Sequence, residues 1–307
     1  MVDAAKTFRD PVGLIRRMLT DDNPTARRAL ARAAAAPLLR PVDAMLRREE
    51  RRRLTSASPT VSAPMLLVVG APRSGTTLIA QMLVHQLRVS FPTNLGAWFP
   101  TSPISAQRRF GRPLPALRTD RRNYYGQTPG LHDHSDAFHL WNRWLGSDRY
   151  RAGPLSDAAT TDLQRFFAAW HATFRDPFVN KNNRNTDAMV ELAAALPNAT
   201  FLIVERDHDA VARSLITARR LVHGDEQRAW GLLARDATSP TDVARAVDDQ
   251  LAAIDARVAD ALDVIDSNRI LRVQFEEFCA DPSPQLSAVA EHLGTEPIYT
   301  PTPSILG

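Results

Sequence analysis

The chain predicts an α/β fold: a three-layer α/β/α sandwich around a mainly parallel sheet, with a helical N-terminal arm. Three observations lead there. Met65-Leu66-Leu67-Val68-Val69 is a continuous apolar run, too short for an independent helix, that ends at Gly70; this is how a strand buried on both faces reads. Phe201 to Val204 reads as another buried strand, separated from the first by helical stretches, as parallel strands joined by crossovers require. Finally, 307 residues with 44% hydrophobic content can bury one large core, which favours a single α/β domain with an appendage over two equal domains. The expected division is a basic helical arm over residues 1–60 and a catalytic domain over 61–307.

The arm holds most of the charge asymmetry. Residues 1–60 carry 13 Lys/Arg against 7 Asp/Glu, a net of +6, which leaves the remainder at −2. Leu38, Val42, Met45 and Leu46 have the spacing of one helical face, and Thr55-Ser56-Ala57-Ser58-Pro59 reads as the linker that ends the arm. Such a helix either packs against the sandwich as a brace or lies on a membrane surface. In the second case Arg40, Arg47, Arg48 and Arg51 to Arg53 would meet anionic headgroups. Pro37 and Pro41 interrupt the helix, and Glu49 with Glu50 offset part of the charge, so the brace is the weightier reading. A nucleic-acid partner is not expected, because the basic run at 47–53 has no interleaved aromatics. The lone Cys279 excludes a disulfide framework. No signal-peptide pattern or membrane-length apolar run is present. A cytoplasmic protein is expected, with peripheral membrane contact through the arm left open.

The apolar run at 65–69 leads into Gly70-Ala71-Pro72-Arg73-Ser74-Gly75-Thr76-Thr77, followed by a helical pattern with Leu78, Ile79, Met82 and Leu83 on its apolar side. Strand, glycine-framed loop and helix in that order make an anion site, because the first backbone N–H groups of the helix point into the loop. The glycines allow a turn or close approach that a side chain would block. Arg73, Ser74, Thr76 and Thr77 add donors to the same cup. The loop resembles a P-loop, but Thr76 stands where the nucleotide-triphosphate motif needs Lys. Without that Lys the usual clamp on β- and γ-phosphates is missing, which disfavours a kinase.

A second block points to the same kind of ligand. Phe201 to Val204 reads as a buried strand, Arg206 follows its carboxyl end, and His208 to Arg220 reads as a helix carrying Ser214. Arg206 therefore projects from the edge where open α/β sheets bind ligands, and a guanidinium there can hold a phosphate bidentately.

Gly70 to Leu78 resembles the 5′-phosphosulfate loop of the sulfotransferases that use 3′-phosphoadenosine 5′-phosphosulfate (PAPS), in the Pro-Arg-Ser-Gly-Thr-Thr form of bacterial and Golgi members. Pro197 to Asp207 with Val211-Ala212-Arg213-Ser214-Leu215 is similar to the family's 3′-phosphate strand and helix, with Arg206 and Ser214 at the gripping positions. Phe178-Val179-Asn180-Lys181 followed by Asn185, and Leu271 to Phe278 ending at Asp281-Pro282, resemble the central and late strands. The resemblance runs from about Met65 to Gly294. It implies a P-loop-like sandwich and PAPS as donor cosubstrate, with adenosine 3′,5′-bisphosphate as product and no metal. The donor would be bound by Arg73, Ser74, Gly75, Thr76, Thr77, Arg206 and Ser214. Arg73 would stabilise the leaving phosphate, and Lys181 would approach the sulfate or the acceptor. One departure stands out: nothing after Leu293 has the composition of the Gly-rich basic loop that completes the 3′-phosphate site in the cytosolic enzymes.

Transfer also needs a base for the acceptor hydroxyl, with a pKa near working pH and within hydrogen-bond reach. Leu131-His132-Asp133-His134-Ser135-Asp136 precedes a helix carrying Phe138, Trp141 and Trp144. His134 is the first candidate there and Asp136 the second, against the plain reading of solvated histidines and an N-cap. Closely spaced histidines also raise a metal site, for which the spacing alone is weak. The insertion between about Val89 and Asp176 is expected to form the acceptor cleft. Its aromatics Trp98, Phe99, Tyr124, Tyr125, Trp141 and Trp144 suit a lipid, a glycan or a small metabolite equally. A P-loop kinase using ATP and a non-catalytic nucleotide-binding protein are the rival functions.

Overall fold

The computed structural model describes residues 36–58, 63–111, 128 and 130–298, together with Gly13, Ile15, Arg16, Leu19, Leu30 and Ala34. In chain order the main elements begin with α1 (Arg40–Ser56), β1 (Met65–Gly70), α2 (Thr76–Gln86), α3 (Pro103–Phe110), α4 (Phe138–Leu145) and α5 (Asp157–Phe174). They continue with β2 (Phe178–Lys181), α6 (Arg184–Asp187), α7 (Met189–Ala195), β3 (Ala199–Glu205), α8 (His208–His223), α9 (Val243–Val264), β4 (Ile270–Gln274), α10 (Phe275–Ala280) and α11 (Ser283–Leu293).

The four strands lie in the order β2-β1-β3-β4, and every neighbouring pair is parallel. The strands expected near 66, 179, 202 and 272 thus form a parallel sheet. Strand alternation divides their side chains between two cores. Met65, Leu67, Val69, Phe178, Phe201 and Ile203 join residues of α4, α5, α7 and α9 on one face. Leu66, Val68, Val179, Leu202, Val204 and Val273 join α2, α10 and α11 on the other. Both faces of β1 and β3 are covered, which is why their central residues read as unbroken apolar runs, whereas β4 at the edge of the sheet carries the exposed Arg272 and Gln274. Each fully buried Leu or Ile contributes about 1.5–3 kcal/mol.

The sheet carries all four ligand-facing connections at one edge. The chain leaves β1 for β2 on one side, then crosses β1 to β3 and β4 on the other, and such a reversal opens a crevice outside the carboxyl ends of the strands. Gly70, Lys181, Glu205 and Gln274 end their strands there.

The arm departs from its predicted face. On α1, Leu46 is buried and Val42 half-buried in a cluster with Leu95, Phe99 and Ala106, whereas Met45, and Leu38 just before the helix, are exposed. The docking is set by two carboxylates one repeat apart. Asp43 accepts from Thr101 N at 3.2 Å and Ser102 Oγ at 2.6 Å, and Glu50 accepts from Ile104 N at 3.2 Å and Ser105 N at 2.8 Å. They satisfy donors at the start of α3 that have no partner within that helix. Helix α1 also runs through Ser56, so the connection to β1 is shorter than the linker predicted from Thr55. Of the cleft aromatics, Phe99, Trp141 and Trp144 are core and Trp98 packs against Leu46 and Phe99; Tyr124 and Tyr125 fall outside the described residues, as does the tail beyond 298. Among the described residues no helix is long and apolar enough to cross a membrane.

Candidate active site

The crevice at the strand ends contains a cavity of about 230 Å³. Its wall includes Pro72, Arg73, Gly75, Thr76 and Thr77 from the loop after β1, Asp136 and Phe138 from the entry to α4, Arg149 and Tyr150 beyond α4, and Lys181 and Asn183 after β2. Leu78 of α2, Arg206 after β3, Trp230 to Leu232 and Phe275 after β4 are also part of it. Seven residues singled out from sequence therefore meet in one place: Arg73, Gly75, Thr76, Thr77, Asp136, Lys181 and Arg206. Among the described residues, four cations and one carboxylate line it, a balance suited to an anionic ligand.

The loop geometry explains both glycines. Gly70 has φ +139°, and a Cβ there would lie 2.7 Å from the Val204 carbonyl oxygen; Gly75 has φ +101°, and a Cβ there would overlap the Phe275 ring. Neither conformation nor space admits a side chain. The Gly70 N–H donates to Thr186 Oγ1 at 2.9 Å, tying the loop to α6. Gly75→Ala is expected to cost about 1–3 kcal/mol from the backbone conformation alone, plus displacement of Phe275. Its readouts are a lower thermal midpoint and a loss of anion affinity; unchanged values of both would mean that the loop tolerates a different course.

Three predicted donor contacts act together. Arg73 itself has φ +76°. Its Nε donates to Ser214 Oγ at 2.9 Å, and its carbonyl accepts from Arg206 Nη1 at 3.1 Å. Ser214 thus anchors Arg73 from α8 and is not among the lining residues. The Arg206 guanidinium lies over Phe275 with its carbon 4.5 Å from the ring centre, and Glu276 stands 3.7 Å away. Ser74 is buried with no hydrogen-bond partner for Oγ among the described residues, and it does not line the cavity. Arg219 is buried against Gln250, and Arg220 pairs with Glu226 at 3.1 Å.

On the β2 side, three side chains fix the segment before α4. Asn180 Nδ2 donates to the Ser135 carbonyl at 2.9 Å, Asn182 Nδ2 to the Asp136 carbonyl at 2.8 Å, and Trp141 Nε1 to Asn180 Oδ1 at 2.7 Å. The Asp136 side chain is thereby turned to Lys181 Nζ at 3.0 Å, with the two side chains 14% and 4% exposed. Burial raises the Asp136 pKa above the ordinary carboxylate range, against the lowering effect of Lys181 and Arg149.

The two base candidates separate. His134 bridges to Thr93 and is 1% exposed, with neither ring nitrogen hydrogen-bonded, and it does not line the cavity. Burial, then Lys181 and His85, lower its pKa to about 3, so it is neutral at working pH. Asp136 lines the cavity. Ser135 Oγ accepts from Ala137 N at 3.1 Å, a local turn within the α4 entry. No group of three or more His, Cys, Asp or Glu among the described residues is placed to hold a metal ion.

The sequence reading missed Phe138, Arg149, Tyr150, Asn183, Trp230 and Phe275. Burial pushes the Tyr150 pKa up to about 12, and its hydroxyl donates to the Ala229 carbonyl at 3.1 Å. It is a structural tie between the segment after α4 and residues 229–233, reinforced by Leu233 N donating to the Tyr150 carbonyl at 2.8 Å.

Solved bacterial structures share this architecture. The sulfotransferase STF9 from Mycobacterium avium superposes with a TM-score of 0.58 at 16% identity, covering 95% of this chain and 78% of that one. The sulfotransferase STF1 from Mycobacterium tuberculosis H37Rv gives 0.56 at 13% identity, covering 97% and 85%. At such identities the likeness speaks for the fold. No curated protein matches by sequence. The family model described as "Sulfotransferase family" matches residues 64–300, a span that contains β1 to β4 and every residue lining the cavity, and the chain belongs to that family.

Proposed function

We propose that the protein transfers the sulfuryl group of PAPS to an acceptor hydroxyl, releasing adenosine 3′,5′-bisphosphate. The observation that carries this reading is the linkage of Arg73 to both Ser214 and Arg206 across a loop whose glycines admit no side chain. It makes one continuous anion-binding edge from the β1 loop to the end of β3. The 5′-phosphosulfate would lie in the loop, on the N–H groups that open α2, and the 3′-phosphate at Arg206. The acceptor oxygen attacks sulfur as the bond from sulfur to the bridging oxygen breaks. The electron pair of that bond goes to the 5′-phosphate, where Arg73 meets the developing charge. Asp136 accepts the hydroxyl proton, and Lys181 keeps that carboxylate ionised between turnovers and faces the transferring group. Asp136 thereby takes the role for which His134 was the first candidate. Residues 1–60 are read as an appended arm and residues 61–307 as the transferase domain.

The loop has no Lys beside Gly75, which separates this reading from ATP chemistry. Calorimetric titration with adenosine 3′,5′-bisphosphate and with Mg-ATP tests it. Tight bisphosphate binding without metal is expected, and Mg-dependent ATP binding alone would overturn it. Arg206→Ala should raise the donor KM roughly ten- to a hundredfold, the range for losing one charged hydrogen-bonding group, with kcat little changed. The 3′-phosphate is remote from the breaking bond and contributes equally before and during transfer. Wild-type PAPS affinity in that variant would move the 3′-phosphate site elsewhere.

A further inference from the structure

Between α8 and α9 the chain runs through residues 225–238 as neither helix nor strand, yet Trp230, Gly231 and Leu232 form a wall of the cavity. Backbone groups in such a stretch need partners outside any helix or sheet ladder, and here each carbonyl from 229 to 232 has one. The Ala229 carbonyl accepts from the Tyr150 hydroxyl at 3.1 Å, and that of Gly231 from Ala234 N at 3.3 Å. The carbonyls of Trp230 and Leu232 accept from a single side chain, Gln250 Nε2 on α9, at 3.1 and 2.8 Å. Gln250 Oε1 in turn accepts from Arg219 Nη2 of α8 at 3.2 Å. Gln250 and Arg219 are fully enclosed, at 1% and 0% exposure.

The chemistry of the partners fixes the amide. Arg219 can only donate and the two carbonyls can only accept, so one orientation of the Gln250 amide satisfies all three. Burial lowers the Arg219 pKa, the sign that enclosing this cation is unfavourable, and an apolar residue would fill the same place without that penalty. What the cation adds is the orientation of Gln250. Helix α8 thus reaches the cavity wall twice: Ser214 holds Arg73, and five residues on Arg219 holds the amide that holds residues 230–232. The wall is also pressed on the β1 loop. Gly231 has φ +92°, and a Cβ there would lie 3.2 Å from both Gln250 Nε2 and Pro72 Cγ. Ala71 packs against the cluster of Leu232, Leu233 and Ile254.

We infer that Gln250, oriented by Arg219, is a positioning residue for the donor: it sets Trp230 to Leu232 against the β1 loop and thereby sets the affinity for PAPS and its product. The inference rests on the proposed donor site. Gln250 is not among the lining residues and acts through the wall. Its loss is therefore felt in donor binding, with Arg73 and Asp136 left in place for the chemical step.

The test is Gln250→Glu in the full chain. Glutamate keeps the length and the acceptor for Arg219, and gains an ion pair with it, but turns a carboxylate toward the two carbonyls in place of N–H donors. Calorimetric titration with adenosine 3′,5′-bisphosphate should show affinity lowered about tenfold or more, the range for unmaking buried hydrogen bonds. PAPS kinetics should place the loss in the donor KM, with kcat little changed. Trp230→Ala should also weaken bisphosphate binding, and the double variant should lose clearly less than the product of the two losses, because a residue that acts through the wall has little left to act on once the wall is cut back. Wild-type bisphosphate affinity in a Gln250→Glu chain with native circular dichroism would overturn the inference, as would a loss confined to kcat or to the acceptor KM, or losses that multiply fully in the double variant. If Gln250→Glu does not fold, Gly231→Ala takes its place: a methyl there must displace Pro72 or Gln250, and wild-type bisphosphate affinity in that variant would overturn the inference. A wild-type chain that does not bind the bisphosphate overturns the donor reading and the inference with it, whereas equal binding by wild type and Gln250→Glu overturns the inference alone.

Discussion

Replacing Arg73 by alanine is expected to lower kcat by about a hundred- to a thousandfold, the usual loss for one group that stabilises developing charge, with the fold intact. Arg73 is half-buried in a surface loop, so little apolar packing is lost. The positive φ of this position disfavours alanine much as it disfavours arginine, so backbone strain hardly changes. What disappears is the charge over the loop and the bond to Ser214 Oγ, while the Gly70 and Gly75 turns and the tie to Thr186 remain. Arg73→Lys should recover only part of the loss, because an ammonium cannot bond Ser214 and present a second face to the phosphate at the same time. The measurement is adenosine 3′,5′-bisphosphate formed from PAPS with a panel of hydroxylated acceptors. Near wild-type turnover in Arg73→Ala would remove this residue from the leaving group.

For Asp136→Asn the expected loss in kcat is roughly a hundred- to ten-thousandfold, the range for a general base, with bisphosphate affinity unchanged. Asparagine keeps the shape and can still accept from Lys181 Nζ, so the variant isolates the proton-accepting role. The pH profile gives the more specific reading. The base must be deprotonated to act, so kcat/KM is full above the Asp136 pKa and declines as pH falls through it. Burial raises that pKa above its ordinary value, so the acid limb should lie above the range of a solvated carboxylate, and it should vanish from the residual activity of Asp136→Asn. His134→Gln serves as the control, since the imidazole is enclosed and off the cavity. If His134→Gln lost activity as severely and Asp136→Asn retained its acid limb, the assignment would reverse.

How the base candidates divided shows where sequence reasoning reaches its limit. His134 and Asp136 are two residues apart, and local pattern offers no reason to prefer one. The preference comes from Asn180 on β2 and Asn182 just after it, more than forty residues later, whose amides grip the carbonyls of Ser135 and Asp136. The arm behaves likewise. Asp43 and Glu50 sit among charged residues, yet they dock α1 by accepting from Thr101 N just before α3 and from Ser105 N in its first turn, and Leu46 is buried while Met45 stays outside. Arg149 gave no signal in a stretch of ordinary loop residues, because its place at the cavity wall depends on stacking over Phe138.

The resemblance to the family pointed to β2, β4 and Lys181; by itself the sequence determined β1, β3, the glycine-framed loop, and Arg73 and Arg206 beyond the ends of those strands. Those features follow from short-range physics: an apolar run buried on both faces needs no partner to be recognised, and a residue just after such a strand must emerge at its carboxyl edge. Only the tertiary structure decided that Ser214 anchors Arg73, that Asp136 and not His134 faces the cavity, and that Arg149 stands beside them. Each of these depends on which way a side chain turns when elements distant in the chain are packed together, and that direction is set by long-range hydrogen bonds and ring contacts that no local pattern encodes.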